Sequence, residues 1–173
     1  MIPPAVPPGV FGPEVEAVLV ASVARVEGVL GPVDGLAVGW ATVDLDRAAA
    51  EASPGRSTVP LPDDDLLGAR CLAAEAPAHE PTADTPALVL LEPSTEGRLA
   101  ASLARHGEGP IAVYLLVPAR TIDRLRVVAP ASGVHLSRPA AGPFGRAVLV
   151  LDGPPSGPHL IVAEAAARGT IGP

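Results

Sequence analysis

The 173-residue chain has no Lys, Asn or Gln, and only one Cys, one Met, one Trp, one Tyr and two Phe. A single thiol, Cys71, excludes an internal disulfide framework and a cysteine-based zinc site; a reduced, partly buried small side chain is expected there. With a net charge of −7 and an aromatic set limited to Trp40, Tyr114, Phe11 and Phe144, the chain offers neither a basic stripe nor a stacking platform. Nucleic acid is therefore excluded as a partner. No apolar run approaches the roughly 20 residues that cross a bilayer, and Met1-Ile2-Pro3-Pro4 lacks the charged-then-apolar order of a signal peptide. A cytoplasmic protein with no membrane partner is expected.

What is present is apolar and punctuated: 48% of residues are hydrophobic, with 18 Gly and 22 Pro. That supports a packed core within one domain, or within two small pseudo-repeated halves. Charge is uneven, thirteen acids against four Arg in residues 1–86 and six against eight in residues 87–173.

Residues 1–12 are Pro-rich and expected to be mobile. In PEVEAVLVASVARVEGVLGP, Val15, Val18, Leu19, Val23, Val26, Val29 and Leu30 recur at helical spacing after Pro13, although the Val content alone would favour a strand. LAVGWATV reads as a strand and DLDRAAAEA as a helix with carboxylates in its first turn. SPGRSTVPLPDDD reads as a turn-rich connection, in which Asp63-Asp64-Asp65 is a solvated turn; GARCLAAEA and ALVLLEP read as a hairpin around a Pro-rich loop holding His79. STEGRLAASLARHGEG is a helix capped by Ser94 or Thr95 and ended by Gly107.

The order then repeats: strand IAVYLLVP, helix ARTIDRLRVVAPASG, strand VHLSRP, and strands RAVLVLD and HLIVAEA around the turn GPPSGP. The expected fold class is α+β, with two β-α-β-β-β modules forming paired curved sheets around a cleft and an N-terminal helical extension. The boundaries are residues 1–32 for tail and helix, 33–93 for the first module, 94–109 for a linking helix, 110–165 for the second module and 166–173 for a tail.

This order, together with Leu90-Leu91-Glu92-Pro93, Gly107-Glu108-Gly109 and Ser156-Gly157-Pro158-His159-Leu160-Ile161, resembles the vicinal oxygen chelate superfamily, which includes glyoxalases, bleomycin-resistance proteins and dioxygenases. The nearest likeness is to methylmalonyl-CoA epimerases, over roughly residues 33–165. The resemblance implies one divalent metal held by two His, one Glu or Gln, and a Glu on the last strand. Their positions here fall on Ala37, Val89, Ala112 (Ile111 if the match is shifted) and Val162. None offers a lone pair, so the resemblance carries no metal and no cofactor with it.

Strand alternation from those positions selects Tyr114 as a hydrogen-bond donor or acid and Glu164 as a base, with Gly39 and Leu91 as cleft neighbours. An edge-of-core Tyr and a solvated Glu are the alternatives. The loop AAGPFGR places Phe144 to cover a ligand and Arg146 to hold an anion, and Arg138 is a further anion candidate. Ala37, Val89, Ala112 and Val162 complete the expected binding surface. The four His show no metal or triad logic; His159, an odd number of residues from Val162, is expected to face outward.

The leading functional expectation is a metal-independent isomerase or cyclase of specialised (secondary) metabolism, whose apolar cleft orients a small-molecule substrate. The alternatives are a small-molecule-binding protein for sequestration or self-resistance, and a non-catalytic structural or partner-binding descendant. A homodimer is compatible with all three.

Overall fold

The computed structural model describes residues 13–31, 33–52, 58–74, 87–153 and 158–164. The expectations for residues 1–12 and for His79 lie outside these. Among the described residues four helices and eight strands follow in the order α1 (Pro13–Leu30), β1 (Gly35–Ala41), α2 (Leu45–Ala52), β2 (Thr58–Asp64), β3 (Ala69–Ala74), β4 (Ala87–Pro93), α3 (Arg98–His106), β5 (Gly109–Val117), α4 (Thr121–Val128), β6 (Ala140–Gly142), β7 (Gly145–Leu149) and β8 (His159–Glu164), with a 3-10 turn at Ala129–Ser132.

The strands form one sheet in the order β2-β3-β4-β1-β5-β8-β7-β6. Its two halves repeat each other: β1 runs parallel to β4 and β5 parallel to β8, and β1 joins β5 antiparallel at the centre. Such a sheet curls because strands twist. Its two edges meet where the Asp65 amide donates to the Ala141 carbonyl at 3.1 Å. The fold class is thus α+β, with a curved, nearly closed sheet and an added N-terminal helix.

Each module brings one helix for its own outer surface. Helix α2 sets Leu45, Ala48 and Ala49 on Leu90, with Leu72 and Leu88 alongside, and α4 sets Ile122 and Leu125 into the outer core of the other half. The outer face of the central pair β1/β5 stays between them, and it is wholly apolar over Leu36, Val38, Val113, Leu115 and Val117. Helix α1 fills that valley with Val23, Val26 and Leu30. Each such side chain gains roughly 1.5–3 kcal/mol on burial, which outweighs the smaller cost of placing Val in a helix, under about 0.7 kcal/mol per residue. The Arg124 guanidinium also donates to the Leu30 carbonyl at 2.6 Å.

Three local expectations are corrected. Part of SPGRSTVPLPDDD is the strand β2 rather than a connection; it pairs only with β3, and an edge strand tolerates Pro60 and Pro62, whose missing N–H groups are needed by no second neighbour. VHLSRP makes a single bridge, Leu136 to Val150. There the Ser137 hydroxyl oxygen accepts from the Leu149 amide at 2.9 Å, in place of a regular ladder. The strand starts instead at Ala140. Helix α3 has Gly97 as its N-cap with no side-chain bond, and its first-turn Leu99 amide donates to the Leu67 carbonyl at 3.0 Å, so neither Ser94 nor Thr95 caps it.

Candidate functional site

The register of the central strands decides which side chains look into the barrel. Ala37 opposes Tyr114, Gly39 opposes Ala112, and Tyr114 opposes Ile161. The inner face therefore carries Ala37, Gly39 and Ala41 from β1, Val89 and Leu91 from β4, Ala112 and Tyr114 from β5, and His159, Ile161 and Ala163 from β8. Strand alternation puts their other neighbours outside, except Ile111, which lies beside the register shift between Gly39 and Trp40 and packs in the inner cluster too.

Val162 belongs to those neighbours and packs in the outer core beneath α1 and α4. A one-residue slip on a strand flips every side chain. The expected cleft position at Val162 is thus corrected, and with it Glu164 and His159. Glu164 leaves the candidate site for the start of α4, where its Oε1 accepts the Ile122 amide at 2.8 Å. His159, expected outside, lies inside.

The anion candidates also sit elsewhere. Arg146 is on the outer face and donates to Asp123 Oδ1 of α4 at 2.7 Å, in an exposed ion pair. Arg138 is exposed. Phe144 stays with the interior: its ring meets Tyr114 edge-on, centroids 5.4 Å apart at 69°.

The interior itself is closed. Ala37, Leu91, Leu99, Ala112, Tyr114, Ile161 and Ala163 have no exposed surface, and Val89 has 1%, so no void that admits a water molecule adjoins them. Leu67 of the β2–β3 turn and Leu99 of α3 fill the centre, with Leu66 and Leu103 packed beside them. Gly39 shows how tight the packing is: a Cβ there would meet Leu91 Cδ1 at 2.7 Å, the Ala112 Cβ at 3.0 Å and Tyr114 Cε2 at 3.1 Å.

One polar pair crosses this apolar space, and sequence reasoning found only half of it. The Tyr114 hydroxyl donates to Asp64 Oδ2 at 2.8 Å. Asp64 Oδ1 accepts the amides of Leu66 at 2.9 Å and Leu67 at 3.0 Å, while Asp63 and Asp65 face solvent as a turn should. Burial pushes the Asp64 carboxyl above its ordinary range, and the three donors, Tyr114 first, pull against that shift. Burial and the neighbouring Asp64 carboxylate push the Tyr114 phenol well up. Cys71, buried in the same cluster, is pushed up to about 12, chiefly by burial and secondarily by Asp64. It is an inert thiol at neutral pH.

A second pair lies at one end of the inner face. His159 Nε2 and the Ser102 hydroxyl of α3 are 3.4 Å apart, both half-buried. Burial and the cationic Arg98 lower the His159 pKa. Neither pair shows in sequence spacing, since 50 and 57 residues separate their members; only the register brings them together.

On the outside, Glu108 ties the modules. Its Oε1 accepts from the Val43 amide at 2.8 Å and the Thr42 hydroxyl at 2.7 Å, and the Arg47 guanidinium spans both oxygens at 2.6 and 2.8 Å. The Val43 amide first, then Thr42 and Arg47, hold its carboxyl down at about 2.

Among the described residues no group of three or more His, Cys, Asp or Glu could hold a metal ion. The inner positions Ala37, Val89 and Ala112 present methyl groups, which do not fit a divalent cation. No described helix is long and apolar enough to cross a membrane.

No family model and no curated protein matches the chain. Solved structures do. The fold is that of methylmalonyl-CoA epimerases, the vicinal oxygen chelate architecture. An epimerase variant of Streptomyces coelicolor, in complex with 2-nitronate-propionyl-CoA, superposes with a TM-score of 0.59 at 21% identity over 78% of this chain and 99% of its own. The Mycobacterium tuberculosis epimerase gives 0.62 at 24% over 78% and 89%, and a hypothetical protein from Bacillus halodurans 0.58 at 18% over 79% and 95%. At these identities the likeness is one of fold.

Proposed function

We propose that this chain carries the epimerase fold without an isomerase site at its centre, and that it serves as a structural or partner-binding protein. The observation that carries the reading is the absence of exposed surface on the inner-face residues Ala37, Leu91, Ala112, Tyr114 and Ile161. A ligand site is a concavity that buries most of its ligand, and this interior is packed by the chain's own Leu67, Leu99 and Phe144. Among the described residues no cluster of His, Cys, Asp or Glu offers a donor set for metal-assisted isomerisation.

One observation favours a second reading, a metal-independent isomerase or cyclase of specialised metabolism acting on a small molecule. Tyr114 and Asp64 are an acid and a base held 2.8 Å apart in an apolar setting, two groups that a substrate inserted between them could use for proton transfer next to a carbonyl. In that reading β2 and β6 part to admit substrate. A sequestering role would use the same opening.

Hydrogen exchange combined with an isotope assay separates the readings. The protein is incubated in D2O with methylmalonyl-CoA and propionyl-CoA, with and without added divalent metal. The structural reading expects no deuterium at the acyl α-carbon, and equally slow exchange of the β2, β3 and β5 amides with and without thioester. Metal-independent α-deuteration lost in Tyr114→Phe would overturn it for the isomerase.

A further inference from the structure

We propose that Ser102 and His159 form a nucleophile and base pair that accepts an acyl group from an anionic, activated ester or thioester. The pair stands at the rim, under α3, and does not depend on how the interior is read. It holds if the centre is solid core and equally if the centre opens.

The inward surface of α3 is apolar at Leu99 and Leu103, and both pack in the inner cluster. Ser102 is the hydroxyl on that side, and its oxygen lies 3.4 Å from His159 Nε2 across 57 residues of chain. A helical Ser more often bonds back to its own helix or faces water; this one turns to an imidazole. Both residues are half-buried, which limits water while leaving the hydroxyl reachable. Burial first, then Arg98, oppose protonation of the imidazole, and in its Nδ1–H tautomer the Nε2 lone pair faces the Ser102 hydroxyl and can take its proton.

Arg98 also supplies the choice of substrate. It lies one helical turn before Ser102, hence on the same side of α3. It is exposed, and it is near enough to His159 to act on it electrostatically. A guanidinium in that place favours a substrate carrying carboxylate or phosphate beside its acyl group.

The step balances without an added reagent. Ser102 Oγ attacks the carbonyl carbon while its proton passes to His159 Nε2. The tetrahedral adduct then expels the thiolate or phenolate, which takes the proton from His159. The products are an O-acyl Ser102 and a free thiol or phenol, with no change of oxidation state.

Full-length protein is incubated with p-nitrophenyl acetate and, separately, acetyl-CoA, and the adduct is mapped by peptide mass spectrometry. The expected result is a single acetyl group on Ser102, absent from guanidinium-denatured protein. Ser102→Ala loses it. His159→Gln slows it by about a hundredfold, the usual contribution of a positioned base, with circular dichroism checking that both variants fold. The rate should rise through an inflection below the ordinary histidine range and then stay level. Arg98→Ala should weaken acetyl-CoA more than p-nitrophenyl acetate. Acylation on another residue, an undiminished rate in His159→Gln, or no native-state acylation of Ser102 overturns the proposal, and none of these bears on α-deuteration at the centre.

Discussion

The two modules answer each other strand for strand, and their agreement outside contrasts with their disagreement inside. Outside, the last strand of each module ends in a carboxylate that accepts an amide from the first turn of that module's helix. Glu92 takes the Leu45 amide at 3.3 Å and Glu164 takes the Ile122 amide at 2.8 Å. Inside, the register makes Gly39 the counterpart of Tyr114, and Gly142 the counterpart of Asp64. The Tyr114 ring lies where Gly39 has no side chain, and a Cβ on Gly142 would come within 4.0 Å of Asp64 Oδ2. Helix capping is a local need that each module must meet. Filling one shared interior is a joint need, met by making one copy large where the other is small.

The comparison breaks most severely at Asp64. Asp64→Ala leaves the Tyr114 hydroxyl and the Leu66 and Leu67 amides without their acceptor. Each orphaned buried donor costs about 1–3 kcal/mol, so the loss should reach about 3 kcal/mol or more by denaturant melts read at Trp40. A loss below about 1 kcal/mol would mean that water already reaches the pair.

Gly39→Val tests the empty half of the exchange. Its added atoms meet Leu91 and Ala112, and overpacking of this kind costs roughly 1–3 kcal/mol. Combining it with Tyr114→Ala should recover part of that loss, a coupling seen only between neighbours. Strictly additive losses would separate the two sites.

Tyr114→Phe keeps the ring against Phe144 and removes one donor from a buried carboxylate, so about 1.5–3 kcal/mol should go. The outer faces should respond less. Glu164→Gln and Glu92→Gln each weaken a cap, by about 1 kcal/mol. The Glu164 change should be the larger, since its bond is shorter and it is the more buried of the two.

Glu108 gives the smallest and most pH-bound effect. Its folded pKa, about 2, lies below the ordinary Glu range, so the stability it lends is present above that range and is lost as pH falls toward 2. Glu108→Gln should therefore melt earlier than wild type at pH 7, and the gap should close by pH 2. A gap independent of pH would show that Glu108 acts by shape alone.

Much of the fold was legible because it rests on local rules. Pro13 opening α1, Gly107 closing α3 and the apolar runs of β4, β5 and β8 are each set by neighbours in sequence. The failures have two causes, a slip in strand register and tertiary neighbours that chain order does not reveal. Val162, Glu164 and His159 were assigned to faces by motif matching, and a single residue of slip inverted all three. Arg146 was read as a ligand anchor because the chain alone does not show Asp123 beside it. Asp64 looked like one of three solvated acids, and only the closure of the sheet over it makes it the buried acceptor of Tyr114.

Cys71 turns the closed interior into a clock. It is the chain's sole thiol, it is 3% exposed, and it shares its cluster with Tyr114 and Leu91. A thiol reagent such as a disulfide dye reaches it only in molecules whose sheet has parted. At reagent levels where the observed rate no longer rises, that rate is the frequency of parting itself. One absorbance trace would then count how often this barrel breathes.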